Sequence, residues 1–135
     1  MLVVIHGYIK TMEEQDYPDG YLRIDHGKIV AVGDMAECDV QALRENQEVQ
    51  VIDAGGNLVM PGIIEAHCHM GITEEKKGME GDDCNENVNS VTPHLRAIDA
   101  INPMDDAFHD AIKAGITSAM IGPGSSNVVG GQFAF

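Results

Sequence analysis

Two histidines one residue apart, His67 and His69, close the stretch "VIDAGGNLVMPGIIEAHCHMG" that runs from Val51 to Gly71. A neutral imidazole offers a nitrogen lone pair near pH 7 and is the commonest protein donor to a divalent metal. On an extended strand, residues two apart leave the same face about 7 Å from one another. Two imidazoles at that spacing can lean together and reach the zinc–nitrogen distance of ~2.0–2.1 Å. Glu65 shares their face, and Cys68 points the other way. Two histidines are nonetheless half a zinc site, because a catalytic zinc usually keeps three protein ligands. A bare His-x-His also arises by chance, so its setting matters: an apolar run before it, a break after it and an acidic segment beside it.

The elements that must position this pair are legible in outline. "LVVIHGYI", "YLRID" and "KIVAVG" carry the β-branched and aromatic residues of strands. "DHGK" joins the last two, where Gly27 can supply the positive φ of a tight hairpin. "MEEQDYPDG" has the Pro-Asp-Gly chemistry of a turn, "DVQALREN" predicts a short helix, and "EVQVID" a further strand before the turn "AGGN". Residues 1–60 therefore read as a small antiparallel β module.

Residues 61–135 have a different character. "GIIEAHCH" reads as a strand with the histidines at its C-terminal end, where α/β folds place their chemistry. The polar "ITEEKKGMEGDDCNENVNSVTP" reads as a long loop, and "HLRAIDAI" fits either strand or helix. A helix follows, with Asn102 as its cap, Pro103 at its first position, Met104, Ala107, Phe108, Ala111 and Ile112 on its apolar face, and Gly115 as its stop. "ITSAMIG" then predicts a buried strand, completing strand, loop, helix, strand: the start of a βαβ pattern.

Composition removes several classes of function. The net charge of −14, from 22 acidic and 8 basic residues, repels a phosphate backbone, so nucleic acid is not an expected partner. No apolar run approaches the ~20 residues that span a bilayer, so no membrane partner is expected either. The apolar start "MLVVIHGYIK" lacks the basic flank and cleavage site of a signal peptide. The three cysteines lack C-x-x-C spacing and suit a reducing compartment, so the expected location is the cytoplasm.

Other chemistry-bearing residues have plainer readings. His109 lies between Asp105 and Lys113 at helical spacing and reads as exposed; His6 and His26 read as structural. Asp82, Asp83 and Glu86 could add a ligand, but such loops are usually solvated. "GPGSSNVVGGQ" lacks the Gly-Lys-Ser/Thr ending of a phosphate loop.

The stretch from Val51 to Gly71 resembles the signature of the amidohydrolase superfamily, in which Val-x-Pro-Gly leads into an apolar strand bearing His-x-His. "LRIDHGKIVAVG" is similar to the family's N-terminal β segment, and imidazolonepropionase-like and dihydroorotase-like members are the nearest in pattern. The resemblance implies a mixed α/β chain: part of a β-sandwich, then the first βαβ portion of an incomplete (β/α)8 TIM-type barrel. A whole barrel takes ~200 or more residues, so the chain would correspond to about the first third of such a protein.

The resemblance also implies a divalent metal, zinc by preference, bound by His67 and His69. It implies a supporting role behind them for Glu65, where the family more often has Asp, and a place at the substrate mouth for Asn127 and Gln132. The remaining ligands and the proton-carrying aspartate would lie on later strands. The expected activity is hydrolysis of an amide-type C–N bond in a small, cyclic substrate. The isolated chain is expected to be inactive, its open edges covered by the missing C-terminal part or by other copies of the chain. A non-catalytic assembly or weak metal-binding module is the alternative, and a small β binding module with an incidental histidine pair is a third.

Overall fold

The structure is a computed structural model that describes residues 1–135. The chain divides into two compact units, Met1–Pro61 and Gly62–Phe135.

The first unit is one five-stranded sheet. Its centre is β1 (Leu2–Ile9), flanked by β2 (Tyr17–Asp25) and then β3 (Lys28–Asp34) on one side. On the other side lie β4 (Gln50–Asp53) and the short β5 (Leu58–Val59). Period-two alternation buries Val3, Ile5 and Ile9 on one face of β1, and Val3 and Ile5 are fully buried. Each contributes about 1.5–3 kcal/mol by leaving water. The hairpin between β2 and β3 turns through His26 (φ 46°) and Gly27 (φ 74°), two left-handed residues that match the twist of the strands.

Two expectations for this unit need correction. The sheet is mixed rather than antiparallel, because β4 and β5 run parallel to β1. The segment from Met35 to Val49, which contains the helix α1 (Val40–Glu45) capped by the Asp39 carboxylate, carries the chain back so that it re-enters in the direction of β1. Second, Pro18, Asp19 and Gly20 lie within β2 and do not end it. Pro18 falls where the β1–β2 register shifts between Gly7 and Ile9, so its missing N–H interrupts no ladder bond.

The second unit is built on a parallel pair, β6 (Ile63–Cys68) and β7 (Ile116–Ile121). Between them run a long loop with a 3₁₀ turn at Gly78–Gly81, the one-turn helix α2 (Ala97–Ala100) and the helix α3 (Asp106–Lys113). Ile72, Cys84, Ala97 and Ile121 form the buried cluster, with Cys68, Met70, Ile101 and Phe108 packed around it.

The start of α3 lies later than the sequence suggests. Asn102 accepts the Met104 N–H in a local turn, whereas Asp105 is the cap and accepts from Ala107. Met104 consequently falls outside the helix and is 83% exposed, and Ile112 also faces outward. Strand β7 is less buried than its apolar content suggests, since only Ile121 of its residues is buried.

Candidate metal-binding site

Strand β6 delivers His67 as its penultimate residue and His69 just past its end. The two rings stand 5.3 Å apart between centroids, edge to face at 86°. Alternation sends Cys68 to the other side, into the cluster around Ile72 and Ile121, so the thiol is part of the packing that holds the strand. The imidazoles therefore leave the C-terminal end of a parallel strand together.

Each histidine is held differently. Nδ1 of His69 lies 2.6 Å from the Gly122 carbonyl oxygen. A carbonyl can only accept, so Nδ1 carries the proton and Nε2 presents its lone pair. Gly122 is itself tied to the first strand, since its N–H donates to the Cys68 carbonyl at 3.1 Å. His67 is exposed, and its ring lies 5.4 Å from that of Phe133 at a tilt of 55°.

The chain leaving the pair is clamped by the turn before α3. The Asp105 carboxylate, 8% exposed, accepts from the Gly71 N–H at 3.2 Å, and the Asn102 N–H donates to the Gly71 carbonyl at 2.8 Å. The Asn102 side chain donates to Glu74 at 2.6 Å, and Lys77 pairs with the same carboxylate at 2.9 Å. The Lys77 ammonium, and then the Asn102 amide, hold the Glu74 carboxyl below its usual range. Sequence reasoning missed this clamp. In the sequence Asp105 stands out only by its helical spacing from His109, and its bond to Gly71 spans 34 residues.

The remaining candidates sit as follows. Glu65 turns its carboxylate onto its own strand, accepting from the His67 backbone N–H at 3.1 Å. The Asn127 amide donates to the carbonyls of Glu86 (3.1 Å) and Asn89 (2.8 Å), and the Gln132 amide to that of Pro93 (3.1 Å). Both therefore lace the Gly-rich segment to the long acidic loop. Asp82 and Glu86 bind backbone N–H groups of their own loop. A cleft of about 540 Å³ lies among these loops, lined by residues such as Glu86, Arg96 and Asn127 but by neither histidine.

No group of three or more His, Cys, Asp or Glu in the chain could by itself hold a metal ion. The pair fits half of such a centre: two neutral nitrogen donors suit zinc, and the second nitrogen of His69 is occupied in the way metal-binding imidazoles usually are.

No family model matches the chain. Curated relatives do. Amidohydrolase tasK of Hapsidospora irregularis is 36% identical over 87 residues, 64% of this chain and 9% of that protein. The 5'-deoxyadenosine deaminase of Methanococcoides burtonii is 35% identical over 74 residues, 53% of this chain and 15% of its own length. The imidazolonepropionase of Solibacter usitatus is 50% identical over 52 residues, 38% of this chain and 12% of that enzyme. Among solved structures, an amidohydrolase from Thermotoga maritima superposes with a TM-score of 0.85 at 32% identity, over 99% of this chain and 33% of that one. The chain belongs to the amidohydrolase superfamily. It spans 9–15% of the length of the curated relatives it matches and a third of the solved structure.

Proposed function

We propose that His67 and His69 are the first two protein ligands of a divalent-metal centre, zinc by preference, in a hydrolase acting on an amide-type C–N bond of a small cyclic molecule. In this reading β6 and β7 are the first two strands of a (β/α)8 barrel, and the remaining ligands and the acid–base group come from residues other than these 135. The observation that carries it is the convergence of two imidazoles at a strand end, one with its outer nitrogen bound to a carbonyl. A bound zinc would act as a Lewis acid that polarises the scissile group and acidifies water.

The chain's own residues bind and orient. His67 and His69 donate lone pairs and transfer no proton. Glu65 stiffens the strand end through the His67 N–H, and Asn127 and Gln132 act on substrate through the loop they hold at the mouth. The other parts of the same protein, or further copies, cover the free edges of β6 and β7. The net charge of −14 disfavours a phosphate backbone as a partner, and no helix is long and apolar enough to cross a bilayer. Three free thiols favour the cytoplasm.

A second reading, a weak metal-binding module without catalysis, is favoured for these residues alone by their want of a third ligand. Calorimetric titration with Zn²⁺ tests the assignment. His67→Ala and His69→Ala should each weaken binding about tenfold or more, equal to ~1.4 kcal/mol. Undiminished binding in both variants would refute it.

A further inference from the structure

We propose that Gly122 and Phe133, on the segment that follows β7, are the positioning residues of the histidine pair: one sets the tautomer of His69 and the other the rotation of His67. The proposal rests on His67 and His69 being metal ligands. It concerns how a second strand prepares them before any ion arrives.

Gly122 has three roles at one position. Its N–H reaches the Cys68 carbonyl, which locks it to β6 between the two histidines. Its carbonyl takes the His69 Nδ1 proton. Its missing side chain leaves room for Phe133, since a Cβ at Gly122 would stand 2.2 Å from a carbon of that ring. A larger residue at 122 would expel the ring or drag the carbonyl away from His69.

Phe133 is firmly seated on both flanks. Ala134 exchanges two 2.8 Å backbone bonds with Ile121. Gln132 donates to the Leu95 carbonyl and accepts from the Ala97 N–H, each at 2.8 Å. With the backbone tied down on either side of it, the ring is a wall beside His67 even though 42% of Phe133 is exposed. It lies 5.4 Å from the His67 ring, whose own exposure would otherwise allow free rotation. Fixing both rings beforehand lowers the ordering cost of binding.

The test uses the 135-residue chain labelled with ¹⁵N-histidine, read by long-range proton–nitrogen correlation without metal and then during Zn²⁺ addition. Wild type should show His69 protonated at Nδ1, against the intrinsic preference of free imidazole for Nε2–H. Phe133→Ala should leave that tautomer intact, abolish the ring-current displacement of the His67 ring protons, and weaken Zn²⁺ binding about tenfold. Phe133→Tyr should restore both, whereas Phe133→Leu, which keeps the apolar volume, should not restore the ring-current signal. A His69 protonated at Nε2, or His67 signals and Zn²⁺ affinity untouched by Phe133→Ala, would overturn the proposal. Should wild type bind no Zn²⁺, the metal reading fails, and the tautomer and the ring-current shift still decide the positioning.

Discussion

Asp105 shows how much of the site depends on a residue that never faces it. Its carboxylate is buried, caps α3 through the Ala107 N–H, and holds the Gly71 N–H two residues beyond His69. Asp105→Ala strands both donors and should cost about 1–3 kcal/mol, read as a lowered urea midpoint of the 135-residue chain. Asp105→Asn, which keeps an acceptor, should recover part of the loss; an unchanged midpoint in the alanine variant would remove the clamp from this account. At this scale the histidine pair could be read in advance because its spacing is local and strand periodicity turns spacing into direction. Asp105 could not: nothing near it in sequence distinguishes a surface cap from a buried one. Glu65 was legible as sharing the face of the pair, but the sequence is silent on its carboxylate turning back to the His67 backbone.

Among the elements, the residue leading into β6 lies close against β7. A Cβ on Gly62 would lie 2.1 Å from the Thr117 hydroxyl. Gly62→Ala should therefore destabilise the second unit by about 1–3 kcal/mol, and Thr117→Gly in the same chain should recover part of it, since the three nearest atoms all belong to the Thr117 side chain and its Cβ alone would stand at 2.7 Å. Additive losses in the double variant would contradict that packing. The loop after His69 has its own titration signature. Lys77 and Asn102 hold the Glu74 carboxyl below its ordinary value, so its contribution is present above the unfolded Glu value near ~4.3 and is lost as pH falls through the lower folded value. Glu74→Gln should flatten stability against pH in that acid window and leave the slope above pH ~5 unchanged; because the pair is exposed, the effect is small. Strand and hairpin positions were readable from β-branched runs and from Gly27. The parallel direction of β4 was not, because the local pattern of a strand carries no sign of which way it will be paired. Pro18 misled for a related reason: a register shift with β1 is a property of two strands, not one.

Taken as a whole molecule, the chain carries much apolar surface and a large negative charge. Ile29, Val30 and Leu58 in the first unit and Ile64 and Ile112 in the second are each more than half exposed. Such surface favours association, while a net charge of −14 opposes it and is screened by salt. Sedimentation should show the 135-residue chain associating more strongly as ionic strength rises, and association that weakens with salt would point to ion pairing instead. Neither unit's sequence announced this exposure, since an apolar strand looks the same whether or not its face is covered. The claim on which the functional reading depends is that His67 and His69 hold one ion together. X-ray absorption of the zinc-loaded chain measures this directly: two imidazoles at ~2.0–2.1 Å are predicted, lost in the His67→Ala, His69→Ala double variant. A zinc environment without imidazole, or one unchanged in that variant, would contradict it.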